Sequence, residues 1–164
     1  MRQMSPDQYC FSSLAWCDIE EQDKAIELSS VGIEKYPEFA DLYRLRSTFY
    51  ADQKNYPAAL KDITKFIDLE PDSSSGYEYR GHLLMQVEHY EEAEYDFKRA
   101  IEIDPNSHPP YYQIGIAQLK QGKRDLALPN LRTYLDLRGI QDTDAMLQKI
   151  ISQNLPSAGD MLNR

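Results

Sequence analysis

The chain has 164 residues, 41% apolar and 27% charged, with 27 acidic side chains against 18 basic ones and a formal charge of −9. These are the proportions of an ordinary globular protein. The acidic excess argues against nucleic acid or an anionic membrane as partner, because both reward Lys and Arg. Cys10 and Cys17, the two cysteines, cannot build a secreted disulfide framework. Seven residues apart on a predicted helix, they stand about 10 Å apart along its axis, beyond the roughly 7 Å between Cα atoms that a disulfide tolerates. They are expected to be free thiols in a reducing compartment. Met1 to Ser5 hold no apolar core of a signal peptide, and no apolar run reaches transmembrane length. The expected location is the cytoplasm.

Along the chain, one period dominates. Tyr9, Tyr43, Tyr77 and Tyr111 stand 34 residues apart, as do Ala25, Ala59, Ala93 and Ala127, the small residues Ser13, Ser47, Gly81 and Gly115, and Pro37, Pro71 and Pro105. Four columns in phase mark a repeat. The first unit opens on Ser5-Pro6-Asp7-Gln8, an N-cap serine, a proline at the first helical position and a glutamine three after the cap. Counted from there, the units are 6–39, 40–73, 74–107 and 108–141. Within each, apolar residues recur at intervals of three and four. A break falls near the middle, at Glu20–Asp23, Asp52–Asn55, Val87–His89 and Gln121–Lys123. A second break falls at Tyr36-Pro37, Glu70-Pro71 and Asp104-Pro105, where the residue before proline leaves helical geometry, and at Gly139. Each unit is thus two helices of about thirteen residues. Pro129 removes a hydrogen bond inside the last of these and is expected to kink it. Asp142-Thr143-Asp144 then starts a further helix. Met146, Leu147, Ile150, Ile151 and Leu155 form its apolar face, and Pro156 ends it. Residues 142–155 are read as a capping helix over the open apolar edge of a solenoid, and 156–164 as a flexible tail.

These residues resemble the tetratricopeptide repeat, a 34-residue helix–turn–helix unit with a characteristic series of aromatic and small residues and a final proline. The third unit carries the resemblance best, in Tyr77, Arg80-Gly81, Tyr90, Ala93, Phe97, Ala100 and Pro105. The second follows with Tyr43, Ser47, Tyr50, Tyr56, Ala59, Phe66 and Pro71. The first is degenerate, with Ser29 where an aromatic is usual and Trp16 as its second aromatic. The fourth keeps Tyr111, Gly115, Ala127 and Leu131 but ends on Gly139. The resemblance implies an all-α, right-handed superhelical solenoid of four antiparallel helix–turn–helix repeats with a ninth, capping helix, spanning 5–141 before the cap. The tyrosine column then places large apolar bodies between helices, and the small column lets the helices approach.

At the seventh position of the unit, the second and third repeats carry Arg46 and Arg80 instead of leucine, and sixteen residues later Asp62 and Asp96. The first repeat has Ser12 and Leu28, the fourth Ile114 and Asn130. Arginine and aspartate occur together or not at all, which predicts the ion pairs Arg46–Asp62 and Arg80–Asp96 within their repeats.

Nothing in the sequence assembles chemistry. There is no glycine-rich phosphate loop, GxSxG elbow or HExxH. His82, His89 and His108 form no ligand set, and Cys10, Cys17 and His82 lack a fourth partner for a soft metal. No catalysis, cofactor or metal is expected. By resemblance, a partner peptide or helix lies in a concave groove lined by the first helix of each unit. The expected groove residues are Cys10, Leu14, Cys17, Arg44, Thr48, Glu78, His82, Met85, Tyr112, Ile116 and Lys120. Leu14, Met85, Tyr112 and Ile116 would serve as apolar anchors, and Arg44, Glu78, His82 and Lys120 would set register. Tyr112, Ile116 and Leu119 would form an exposed apolar patch unless the cap helix covers them.

Heat-shock chaperone tails are held in related arrays by a Lys/Asn/Arg clamp. The corresponding positions here are Cys10, Leu14, Leu45, Ser75 and Tyr79, or, one unit later, Arg44, Thr48, Tyr79, Pro109 and Gln113. Neither set is a clamp, so no binding of such tails is expected. The chain reads as a non-catalytic protein–protein interaction module with another protein as partner, and with no nucleic acid or membrane. The alternatives are a self-assembling homodimer through Phe11 and Ala15 or through the cap helix, and a secretion-type chaperone built on the same repeat.

Overall fold

The computed structural model describes residues 4–15 and 21–155. Trp16, Cys17, Glu20, Pro156 and the tail at 156–164 lie outside the described residues. Among those described, every regular element is an α-helix: α1 (Pro6–Leu14), α2 (Gln22–Lys35), α3 (Ala40–Asp52), α4 (Tyr56–Leu69), α5 (Ser74–Gln86), α6 (Tyr90–Ile103), α7 (Pro109–Lys120), α8 (Arg124–Leu137) and α9 (Thr143–Asn154). The chain forms two compact units, Met1–Leu83 and Leu84–Arg164, so the division falls inside α5.

In the first unit α1 packs on α2, α2 on α3, and α3 on α4, with α1 also meeting α3. The helix starts follow from local chemistry. The Ser5 backbone N–H donates to Gln8 Oε1 at 2.8 Å and the Gln8 N–H to Ser5 Oγ at 3.3 Å, closing a capping box ahead of Pro6. At α4, Asn55 caps by accepting the Ala58 N–H.

The tyrosine column is structural. Tyr9 and Tyr43 are buried. The Tyr9 hydroxyl accepts from Lys35 Nζ at 2.6 Å, and the Tyr43 hydroxyl donates to the Pro37 carbonyl at 3.0 Å. In the small column, Ser47 Oγ donates to the Ala59 carbonyl at 2.8 Å. Its counterpart Ser13 is buried without a hydrogen-bond partner among the described residues. The equivalent carbonyl, on Ala25, already accepts from Ser29 Oγ at 2.7 Å. The same serine that breaks the aromatic pattern of the first repeat therefore takes the acceptor its neighbour would use.

Arg46 joins three helices. Its Nε donates to Asp62 Oδ2 at 2.7 Å, Nη2 donates to Asp62 Oδ1 at 2.8 Å, and Nη1 donates to Ser30 Oγ at 2.9 Å. The two side chains are 17% and 5% exposed. Burial works against the guanidinium's charge, yet its hydrogen bonds to Asp62 and the charge of that carboxylate outweigh it and hold Arg46 above its ordinary value. Arg80 repeats one arm of this geometry, with Nη1 donating to Thr64 Oγ1 at 3.3 Å. Ser30 and Thr64 are 34 residues apart, as are Arg46 and Arg80. The expected pair of Arg80 with Asp96 joins residues of different units and stays an expectation.

In the second unit α6 packs on α7, α7 on α8, and α8 and α7 on α9. Its core is Leu131, Leu135, Ala127 and Leu119 with Leu147, Ile150 and Ile151 of α9. Gly115 sits where a Cβ would lie 2.5 Å from Leu131 Cγ, so only glycine admits this approach of α7 to α8. In place of the Arg–Asp pair there is a chain of amides and a carboxylate. Gln118 Nε2 donates to Glu94 Oε1 at 3.0 Å, and Asn130 Nδ2 to Gln118 Oε1 at 3.0 Å. The helix α8 runs on through Pro129.

The mid-repeat turns share one geometry. Lys54, Glu88 and Gly122, 34 apart, have φ of 58°, 60° and 75°. The next N–H in each case, on Asn55, His89 and Lys123, bonds back to the carbonyl of Tyr50, Leu84 and Gln118. This is the left-handed helix end that glycine fits best, and two repeats adopt it without one. Gly139, with φ 67°, ends α8 the same way. That explains why the fourth repeat stops without a proline.

Candidate functional site

The expected groove residues fall into two environments. In the first unit, α1 and α3 run side by side and leave a cleft of about 160 Å³ between them. It is lined by Asp7, Cys10, Phe11 and Leu14 of α1, by Phe39, and by Asp41, Arg44 and Leu45 of α3. Phe11 is 74% exposed and Leu14 46%. Arg44 donates from Nε at 3.0 Å and Nη2 at 2.9 Å to the same oxygen of Asp41, Oδ1. Thr48 Oγ1 turns back to the Arg44 carbonyl at 3.1 Å. A second cleft of about 270 Å³ adjoins the first, sharing Phe39 and Asp41, with Glu38, Phe66 and Glu70 around it.

The cleft's electrostatics are legible in Cys10. Burial pushes its thiol up, and the carboxylates of Asp41 and Asp7 push it further to about 11, against the opposing pull of Arg44. Cys10 is a free thiol that stays protonated at neutral pH, so it is a poor nucleophile. His82 on α5 is held below its ordinary value by burial, against the opposing effect of Glu78. It is neutral at pH 7.

The second unit treats its groove positions differently. Ile116 is 7% exposed and sits with Leu119 in the cluster that α9 completes through Leu147, Ile150 and Ile151. Ile116 is therefore core and not a groove anchor. The physical reason is that the terminal repeat has an apolar edge and α9 supplies the cover. Tyr112 is half-covered against the same cluster, its ring 5.0 Å from that of Tyr134; burial first, then Tyr134, raises its phenol. Met85 packs against two apolar clusters. Lys120 is half-buried at the end of α7. Cys17 lies outside the described residues. Phe11, read from the sequence as a self-association residue and not as a groove residue, supplies the most exposed large apolar side chain of the cleft.

Among the described residues no group of three or more His, Cys, Asp or Glu side chains is placed to hold a metal ion. No helix there is long and apolar enough to cross a membrane.

Paired helices at a 34-residue period, with small residues between them and left-handed turns at a fixed position, define a helical-repeat protein. Residues 74–107, the third unit, match the family model of the tetratricopeptide repeat. The fold is also that of several solved structures. A crystal structure of MamA protein aligns with a TM-score of 0.76 at 19% identity, over 82% of this chain and 74% of that one. MamA from Desulfovibrio magneticus RS-1, residues 41 to end, aligns at 0.75 and 15%, over 84% and 78%. A further crystal structure of MamA aligns at 0.71 and 16%, over 94% and 96%. No curated protein sequence matches the chain.

Proposed function

We propose that the chain is a non-catalytic protein–protein interaction module that holds a peptide or helix of another protein against the face formed by α1 and α3. The observation that carries this reading is the cleft of about 160 Å³ lined by Cys10, Leu14 and Arg44, in which large apolar side chains stand exposed beside charged ones. Exposed apolar surface rimmed by polar groups is where partners dock. In the second unit Ile116 is already covered by α9, so the proposed docking face is that of the first unit.

The test is co-purification of partners on immobilised wild-type chain against a Leu14→Ala/Arg44→Ala variant, with circular dichroism as the check on folding. A protein held by the wild type and lost with the variant supports the reading. An identical set of captured proteins overturns it. The exposed Phe11 and Ala15 favour a second reading, self-association through α1. Sedimentation across a concentration series separates the two, since a monomer at all concentrations excludes it.

A further inference from the structure

The reading as an interaction module leaves the chemistry of the partner open, and the clefts of the first unit constrain it. We propose that the two adjoining clefts dock a basic amphipathic segment of a partner protein, with a large apolar side chain seated between Phe11 and Leu14 and flanking Lys or Arg side chains set against Asp7, Asp41, Glu38 and Glu70. The proposal rests on the interaction-module reading and adds to it which segments qualify.

Size comes first. Clefts of about 160 and 270 Å³ fall below the roughly 300–1,000 Å³ of pockets that enclose a small organic ligand. They suit single side chains presented by a backbone that stays outside. The apolar part of such a segment has its counterpart in Phe11, Leu14 and the shared wall Phe39.

Charge decides the rest. Around the two clefts stand four carboxylates, Asp7, Glu38, Asp41 and Glu70, against one guanidinium, Arg44. That guanidinium is engaged by one of the four: its Nε and Nη2 both donate to Asp41 Oδ1, and Asp41 Oδ2 has no hydrogen-bond partner among the described residues. The Cys10 thiol, raised first by burial, is raised further by the carboxylates of Asp41 and Asp7. A neutral apolar segment would leave Asp7, Glu38 and Glu70 facing it without compensation, and an acidic one would be repelled. A second copy of this chain carries a charge of −9 and meets the same repulsion on approach.

The test uses the full chain and three fluorescein-labelled 14-residue helical peptides. One carries Leu at positions spaced three and four apart with Lys and Arg elsewhere, one replaces its basic residues by Glu, and one replaces its Leu by Ser. Anisotropy titrations should show saturable binding of the first alone, weakened by raising salt from about 0.05 to 0.5 M. Asp7→Asn/Asp41→Asn and, separately, Leu14→Ala should each weaken it about tenfold or more. Glu27→Gln/Glu34→Gln, which removes two charges from exposed positions on α2, should change it less than about twofold.

Equal losses in the cleft and α2 variants would overturn the proposal, as would binding of the Glu peptide or undiminished binding of the Ser peptide. So would a dimer in sedimentation that dissociates in the Asp7→Asn/Asp41→Asn variant, since the occupant would then be a second copy. If no peptide binds while a captured protein is still lost on Leu14→Ala/Arg44→Ala, the charge rule is wrong and the interaction module stands. If neither is observed, both fail.

Discussion

Removing one side of the Arg46–Asp62 pair should be among the most damaging single changes available in the first unit. Asp62→Leu takes away a carboxylate that accepts two hydrogen bonds, at 2.7 and 2.8 Å, from a guanidinium that is only 17% exposed on its side chain. Arg46 cannot deprotonate in response, and it keeps only Ser30 at 2.9 Å and the Tyr50 ring at 5.8 Å. Breaking a buried pair costs about 3–5 kcal/mol. The remaining exposure and the Ser30 bond place Asp62→Leu near the lower end, about 3 kcal/mol, or about 6–12 °C in melting temperature for a chain of this size. Arg46→Met strands a carboxylate that is 5% exposed and should cost at least as much. The double variant replaces the pair by apolar side chains and should be more stable than either single one. Urea unfolding followed by circular dichroism gives each value by linear extrapolation, and the double-mutant cycle should return a coupling of about 2 kcal/mol or more. Single losses below about 1 kcal/mol, or simple additivity, would mean that the pair acts as a surface contact and would refute the argument.

Gly115→Ala would gain helix propensity but puts a methyl 2.5 Å from Leu131 Cγ. Overpacking should win, with a net loss of about 1–3 kcal/mol by thermal melting, and an unchanged melting temperature would show that α7 and α8 can move apart freely. The mid-repeat turns predict opposite signs at equivalent positions. Gly122→Ala, at φ 75°, should lose about 1 kcal/mol, and Lys54→Gly, at φ 58°, should gain up to about 1 kcal/mol once the extra freedom of glycine in the unfolded chain is subtracted. Losses at both positions in urea unfolding would contradict the shared geometry. His82 is held below its ordinary value of 6.5 by burial, so the folded state binds its proton less well than the unfolded one. Its contribution is present above about pH 6.5 and is lost as pH falls through that value and below. His82→Gln should flatten the fall in melting temperature between about pH 7 and 5, and an unaltered slope would assign that fall to other groups.

The sequence announced the architecture because the repeat forces the same packing problem on the same columns. Tyr9, Ala25 and Pro37 each solve it once, and their copies at 34-residue steps make the solution visible. The Arg46–Asp62 contact was legible for a related reason, since both positions depart from the pattern together. Its third member, Ser30, was not. A hydroxyl at 30 and 64 is an inconspicuous pair of residues, although its step of 34 was available to be read. The left-handed turns were hidden because only Gly122 advertises one, whereas Lys54 and Glu88 adopt it under compulsion from the helices on either side. The candidate site was the least legible. Helical position says that Ile116 and Leu14 face the same way, and it cannot say which of them has a neighbour. Burial is a property of what comes next in space, and the residues that cover Ile116, Leu147 and Ile151 among them, lie more than thirty positions along the chain. The Glu94–Gln118–Asn130 chain escaped for the same reason, since no column repeats it.

The seat that α9 takes on Leu119 and Leu135 also sets a rule for anyone who would rebuild this protein. A fifth repeat appended after Gln141 would need the same apolar surface that Leu147, Ile150 and Ile151 already occupy, and two suitors for one surface leave one of them dangling in water. The array is closed to extension at that end by a piece of its own chain. Lengthening it means inserting a whole 34-residue period upstream, where each newcomer inherits a neighbour on both sides and the terminator stays in place.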